Sequence, residues 1–217
     1  MPSILRICEI YRSLQGESSR AGRPCAFIRL SGCNLDCAWC DSEYSRNEQG
    51  RELTVAMAEE ALLSFQTKLV EITGGEPLIQ PASVELAMRL ARAGREVLVE
   101  TNGSLDISLL PYPVNRIMDL KPPSSGMAGW NRWENLAHLR RGDEVKFVLA
   151  GEDDYNWARS YLENPDYPSS QVVTLFSPVA GKLAPADLAE WILRDQLDVR
   201  LNLQLHRVIW PGRERGV

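Results

Sequence analysis

The chain alternates short apolar runs with longer amphipathic stretches, and this alternation constrains the fold more than any other feature. Short segments rich in β-branched residues are predicted to be strands: 25–30, 69–73, 96–101, 116–120, 144–150, 171–176 and 201–205. Segments with apolar residues at three- and four-residue intervals are predicted to be helices: 55–66, 81–94, 129–141, 155–164 and 184–196. Strands that alternate with helices form a mostly parallel sheet with helices packed outside it.

Chain length narrows the choice of α/β architecture. Eight full strand–helix units usually need about 250 residues, and this chain has 217. We therefore predict an α/β fold with an incomplete, reduced (β/α) barrel, and a flavodoxin-like open sheet is the alternative. No repeat or flexible linker divides residues 1–217, so we expect a single domain. Thr54 is predicted to cap the helix after it, and Gly94 to end the helix before it.

The net charge and the hydropathy of the sequence argue against nucleic-acid binding and against a membrane-spanning segment. The formal net charge of −5 is not that of a protein that binds nucleic acid through a basic surface. The sequence contains no apolar run of about 18 residues, so no membrane span is predicted. The N-terminal residues lack the apolar core of a secretory signal, and we expect a cytoplasmic protein.

Polar residues follow several of the predicted strands. In parallel α/β folds the carboxyl ends of the strands form the functional edge. We therefore expect an enzyme whose site gathers these residues. The segments concerned are 73–77, 100–103, 119–122 and 177–178, together with His206.

Three cysteines lie within eight residues, in the sequence CNLDCAWC. Cys33, Cys37 and Cys40 form a C-x3-C-x2-C pattern, and the only histidines in the chain are His138 and His206. A structural zinc site usually has four protein ligands, often as two paired halves, and the second half is missing here. Three thiolates with one open position favour an iron–sulfur cluster, with zinc as the alternative.

The other two cysteines lie in apolar stretches away from this loop. Cys8 and Cys25 are each predicted to be buried, unreactive thiols. His138 falls in a predicted helix, where a surface or core role is expected.

The cysteine spacing, with Trp39 before the last cysteine, is similar to the signature of radical S-adenosylmethionine (SAM) enzymes. The segment TGGEP (73–77) resembles the second element of that superfamily, in which glycine backbone lies against the methionine moiety. A simple strand-to-helix turn is the alternative for this segment. The resemblance implies a radical SAM barrel, a 4Fe-4S cluster, and one-electron cleavage of SAM.

A narrower resemblance extends over nearly the whole chain. The segments YRSLQGE (11–17), 21–44, 71–78, 97–104, 118–126, 144–149, 176–181 and 204–210 resemble the 7-carboxy-7-deazaguanine synthase family. This implies a lyase that contracts 6-carboxy-5,6,7,8-tetrahydropterin to 7-carboxy-7-deazaguanine with loss of ammonia, in the biosynthesis of queuosine and other 7-deazapurines. It also implies Mg²⁺, a flavodoxin or ferredoxin as reductant, and a homodimer.

The resemblance implies roles for individual residues, with Arg29 pairing with the substrate carboxylate. The implied substrate-binding residues are Leu14, Gln15, Gly16, Glu17, Arg29, Thr73 and His206. The implied SAM-binding residues are Trp39, Cys40, Asp41, Gly75, Lys121, Pro122, Ser177, Pro178, Val179 and Ala180. Cys33, Cys37 and Cys40 would hold the cluster, and Ser42 would bind Mg²⁺. The alternatives are an ordinary surface ion pair for Arg29 and an ordinary turn for Gln15 and Gly16.

The chain departs from the family pattern at three places. Ser42 replaces the usual threonine, Arg207 replaces the usual lysine, and the sequence continues to Val217, past the point where some members end. Whether the end of the tail reaches the site is therefore open. The competing functions are a small radical SAM activase that makes a glycyl radical in a partner protein, and a non-catalytic zinc-binding module.

Overall fold

The structure, a computed structural model, describes residues 2–217 and contains one open, nine-stranded sheet. The strands are β1 Ile4–Leu14, β2 Pro24–Leu30, β3 Arg51–Thr54, β4 Leu69–Gly74, β5 Glu96–Thr101, β6 Asn115–Asp119, β7 Glu144–Leu149, β8 Val173–Pro178 and β9 Arg200–Leu201. Their spatial order is β3-β1-β2-β4-β5-β6-β7-β8-β9. β1 is antiparallel to both of its neighbours, and every pairing from β2 to β9 is parallel.

In residues 2–217, six α-helices accompany the sheet. They are α1 Glu43–Asn47, α2 Val55–Ser64, α3 Ala82–Arg92, α4 Glu152–Leu162, α5 Pro185–Arg194 and α6 Leu205–Ile209. The predicted cap of α2 is confirmed, since the Thr54 hydroxyl accepts a hydrogen bond from the Met57 N–H at 3.2 Å. Gly94 has a φ of +77° directly after α3, which confirms it as the residue that ends that helix.

The two faces of the sheet carry different side chains because strand residues alternate in direction. One face packs against the helices in the main core, with residues such as Ile28, Ile72 and Val99 fully buried. The other face encloses a small separate apolar cluster of Cys25, Phe27, Leu69, Leu98 and Ile117, against which Tyr11 packs. The predicted mostly parallel α/β sheet is confirmed, and it remains open at β3 and β9.

The loop between β1 and β2 lies across the amino ends of the parallel strands. Arg20 pairs with Glu144 at the start of β7 and, at 3.2 Å, with Glu96 at the start of β5. The Ser19 N–H also donates to Glu144, at 3.0 Å. These contacts fix the loop, and they hold residues 15–17 beside the face of the sheet that lies opposite the helices.

Several predicted boundaries need correction. The segment 129–141 is not an α-helix but two 3₁₀ segments, Ala128–Trp130 and Trp133–His138. The cause is Asn135, which is fully buried and donates to the carbonyl oxygens of Gly103 and Leu105. These tertiary hydrogen bonds favour an irregular backbone over a regular helix. The strand predicted at 201–205 covers only Arg200–Leu201, and α6 follows.

The two isolated cysteines differ in burial. Cys25 is fully buried as predicted, but Cys8 is only half-buried, because it occupies an irregular position in β1. His138 is exposed, in line with the expected surface role. Among residues 2–217, no helix has the length and apolar character needed to span a bilayer.

Candidate active site

A cavity of about 470 Å³ opens at the carboxyl ends of the parallel strands. Every residue to which the sequence assigns a substrate, SAM, cluster or Mg²⁺ role lines this cavity. They come from the end of β1 and the β1–β2 loop, from β2 and the cysteine loop after it, from the ends of β4, β6 and β8 with the residues that follow them, and from α6. The structure thus brings all of them together, and their individual roles remain predictions.

The cysteine loop supplies one wall of the cavity. Cys33, Cys37 and Cys40 all line it, and a backbone hydrogen bond from Cys40 N–H to Cys37 O, at 3.3 Å, forms a tight turn between two of them. The Leu35 N–H and the Asn102 side-chain amide approach Cys33 Sγ at 3.5 and 3.8 Å. N–H groups directed at sulfur stabilise a thiolate ligand. Burial raises the pKa of Cys37, and Lys121 opposes this shift.

The donor set fits an iron–sulfur cluster with one open coordination site. Three thiols from one loop face a cavity, and no fourth thiol lies among its lining residues. Within residues 2–217, no three histidine, cysteine or acidic side chains are grouped as ligands of a single ion.

The glycine-rich segment after β4 packs directly on the cysteine loop. An ideal Cβ at Gly75 would lie 2.0 Å from the carbonyl oxygen of Gly32 and 2.9 Å from Cys33 Cβ. The Gly75 N–H donates to Leu30 O at 3.1 Å. Only glycine allows this close approach, and Gly75 lines the cavity beside the thiols.

Glu76 joins the ends of β4 and β5. Its fully buried carboxylate accepts hydrogen bonds from the Leu78 N–H at 2.9 Å, the Thr101 hydroxyl at 2.8 Å and the Asn102 N–H at 2.6 Å. Burial, only partly offset by these donors, raises the pKa of Glu76 to about 7.

Replacing Glu76 by glutamine is expected to destabilise the fold by about 1–3 kcal/mol, because one buried donor loses its acceptor. Since the folded pKa is raised, wild type binds more protons when folded than when unfolded between about pH 4.5 and 7. The contribution of Glu76 to stability therefore falls as pH rises through this window. Urea unfolding should show a larger wild-type advantage over Glu76→Gln at pH 5 than at pH 8. An advantage that grows with pH would contradict the assignment.

Another wall of the cavity is built from contacts between the two ends of the chain. The Leu205 N–H donates to Gly16 O at 2.9 Å. An ideal Cβ at Gly16 would lie 2.5 Å from His206 Nδ1, so glycine is needed for α6 to pack on the loop. The Gln15 amide donates to Glu71, and burial together with Glu100 raises the pKa of Glu71 well above its usual value.

A chain of polar contacts continues around the cavity. The Thr73 hydroxyl donates to Glu100 at 3.0 Å, and Lys146 binds both Glu100 and Glu17, the latter at 3.0 Å. Burial opposes the charge of Lys146, but the acidic residues around it outweigh burial and raise its pKa well above its usual value. The Gln204 amide then joins Glu17, at 2.9 Å, to Asp41, at 3.0 Å. The contacts thus link the β1–β2 loop to the cysteine loop.

The cavity is also lined by Glu71, Lys146 and Gln204, which were not predicted from the sequence. Lys146 and Glu71 carried a usable signal, since each is a charged residue in an otherwise apolar predicted strand. The end of the C-terminal tail does reach the cavity, since both Arg207 and Val217 line it.

Ser42 lies directly before α1 and lines the cavity. Its side chain makes no capping hydrogen bond to the helix, and its hydroxyl lies 4.0 Å from Cys40 Sγ. The hydroxyl oxygen is therefore available as a hard ligand of the kind that Mg²⁺ prefers.

A model of the radical SAM superfamily matches residues 27–118. The 7-carboxy-7-deazaguanine synthase of Koribacter versatilis is 44% identical, over 98% of this chain and 100% of its own. The enzyme of that name from Chlorobaculum tepidum is 43% identical, over 98% and 97%. The chain belongs to the 7-carboxy-7-deazaguanine synthase family.

Solved structures similar to the chain support the fold. The crystal structure of QueE from Escherichia coli has a TM-score of 0.74 at 23% identity and covers 94% of this chain and 95% of its own. SuiB of Streptococcus suis, solved with S-adenosylmethionine bound, has a TM-score of 0.58 at 13% identity, over 83% of this chain and 50% of its own. Membership of the 7-carboxy-7-deazaguanine synthase family decides against the glycyl-radical activase and the zinc-binding module.

Proposed function

We propose that this chain catalyses the radical ring contraction of 6-carboxy-5,6,7,8-tetrahydropterin to 7-carboxy-7-deazaguanine, with loss of ammonia. The observation that carries the proposal is the convergence of the three-cysteine loop, the Gly75 backbone and Arg29 on one cavity. Family membership at 44% identity supports it independently.

The cavity offers a place for each cofactor. Cys33, Cys37 and Cys40 would hold a 4Fe-4S cluster, the backbone at Gly75 would lie against SAM, and the Ser42 hydroxyl would ligate Mg²⁺. When bound, the cluster and SAM would supply the one-electron chemistry that starts the reaction, and Mg²⁺ would supply Lewis-acid polarisation.

The protein's own residues bind and orient the substrate. The guanidinium of Arg29 can bind a carboxylate through two parallel N–H bonds. Glu71 fixes the amide of Gln15, and Lys146 fixes the carboxylates of Glu17 and Glu100. Helix α6 packs on Gly16, and its residues His206 and Arg207 line one side of the cavity.

We also propose that a flavodoxin or ferredoxin supplies the electrons and that the protein forms a homodimer. Cys40 is exposed, which would allow a flavodoxin or ferredoxin to approach the cluster loop. The family resemblance supports a homodimer and a place in the cytoplasm.

Arg29 provides the test of substrate recognition. We expect Arg29→Ala to raise the KM for the pterin about 100-fold or more, because a charge-assisted bidentate contact is lost. The KM for SAM should change little. Steady-state kinetics with 7-carboxy-7-deazaguanine measured by chromatography checks this. An unchanged pterin KM would show that another residue binds the carboxylate, and a wild type without deazapurine product would contradict the proposed function itself.

A further inference from the structure

Strand β1 contains a bulge directly before Glu9. In the pairing of β1 with β2, Ile7 lies opposite Leu30, but Glu9 lies opposite Arg29, so Cys8 is an extra residue. Side chains of a strand alternate between faces, and one extra residue reverses the face of everything that follows. Ile7 is fully buried in the main core beside the helices. The bulge therefore turns Glu9 to the opposite face, on the side of the cavity.

On that face Glu9 contacts three separate parts of the chain. Its carboxylate accepts a hydrogen bond from Arg29 Nε at 3.0 Å and one from the Tyr44 hydroxyl. It also accepts from the Gly216 backbone N–H at 3.1 Å. One carboxylate thus joins β2, the helix after the cysteine loop, and the C-terminal tail.

These contacts decide which donors of Arg29 face the cavity. Nε is used by Glu9, and Nη2 approaches the Tyr11 hydroxyl at 3.4 Å. Across residues 2–217, these are the two hydrogen-bond partners of the Arg29 guanidinium. Since Arg29 lines the cavity, its remaining Nη donors can meet a carboxylate end-on, in the bidentate geometry that arginine favours.

The tail is held at the same end of the cavity by a second set of contacts. The Arg215 guanidinium lies 4.0 Å from the centre of the Tyr44 ring and pairs with Glu48. Tyr44 therefore contacts both Glu9 and the tail, and Val217 reaches the cavity beside them.

We propose that Glu9, which the β1 bulge turns towards Arg29, is a positioning residue for the binding of the substrate carboxylate. Glu9 fixes the guanidinium with its Nη donors towards the cavity and holds the tail over the same region. This rests on the proposed function, in which Arg29 binds the pterin carboxylate.

The proposal is tested by a double-mutant cycle in the reconstituted enzyme. We expect Glu9→Gln to raise the pterin KM about 10-fold, because the charge that orients Arg29 is lost. The kcat and the KM for SAM should stay within about twofold of wild type. If Glu9 acts through Arg29, the Glu9→Gln/Arg29→Ala double variant should have the pterin KM of Arg29→Ala alone. Additive effects on KM would overturn the proposal.

A matched control separates Arg29 from the tail. Glu48→Gln removes the other carboxylate that holds the tail and leaves Arg29 and Glu9 in place. We expect its pterin KM to stay within about twofold of wild type, as for the loss of an exposed ion pair. A rise equal to that of Glu9→Gln would assign the effect to the tail and overturn the role of Glu9 on Arg29.

A milder variant covers the case in which Glu9→Gln fails to fold. Tyr44→Phe removes only one donor to Glu9, and we expect a smaller rise in the pterin KM that disappears in the Arg29→Ala background. A rise that persists there would overturn the proposal. A wild-type enzyme that neither binds nor converts the pterin overturns the proposed function instead, which distinguishes the two failures.

Discussion

Cys37→Ala is expected to form neither 5′-deoxyadenosine nor 7-carboxy-7-deazaguanine. Cys37 is the middle thiol of the three, and the loop has no other cysteine to replace it. Losing one of three thiolate ligands should prevent stable assembly of the cluster, on which all the radical chemistry depends. Anaerobic reconstitution followed by iron and sulfide analysis should give about four irons per chain for wild type and far less for the variant.

Cys8→Ala is the matched control for this loss. It removes one thiol from the chain, but its side chain does not line the cavity. We expect its iron content and both products to match those of wild type. Normal iron content and activity in Cys37→Ala would contradict the assignment of the cluster, as would wild-type protein that binds zinc in place of iron.

Asp143→Ala is expected to cause the largest loss of stability, about 3–5 kcal/mol in the free energy of unfolding. Arg116 and Asp143 form an ion pair whose side chains are 1% and 0% exposed. Asp143 also accepts from the Arg116 backbone N–H at 2.9 Å and from the Arg140 N–H at 3.0 Å. The substitution leaves the Arg116 guanidinium buried without a counter-charge and leaves both N–H groups without this acceptor.

The exposed pair Arg132–Asp106 provides the comparison. Its atoms are 3.8 Å apart and its side chains are 44% and 37% exposed. We expect Asp106→Ala to change stability by no more than about 1 kcal/mol. Urea unfolding of both variants measures the difference. Similar small losses would show that the Arg116–Asp143 pair is not the stabilising contact that its burial indicates.

Local sequence patterns were enough to predict the parallel part of the sheet. Strands such as β4 and β5 are buried apolar runs, and their pattern does not depend on distant residues. β1 was not predicted because Glu9 and Tyr11, on the cavity side of the strand, are polar or amphipathic, and because the bulge interrupts the alternation of apolar and polar side chains. Such a strand has no simple period to detect.

The cysteine loop and the glycine segment were predictable because their chemistry lies within a few consecutive residues. The polar contacts around Lys146 were not, since they join residues separated by 129 positions for Glu17 and by 46 for Glu100. The position of Val217 at the cavity depends likewise on long-range contacts, such as that of Gly216 with Glu9.

We propose above all that this cavity performs a radical ring contraction. For the test, the reconstituted, chemically reduced protein is incubated under anaerobic conditions with SAM, Mg²⁺ and 6-carboxy-5,6,7,8-tetrahydropterin. We expect 7-carboxy-7-deazaguanine and ammonia in equal amounts, identified by mass spectrometry, and no deazapurine when the pterin or SAM is omitted. Formation of 5′-deoxyadenosine without any deazapurine would contradict the account, because the chain would then be a radical SAM enzyme acting on a different substrate.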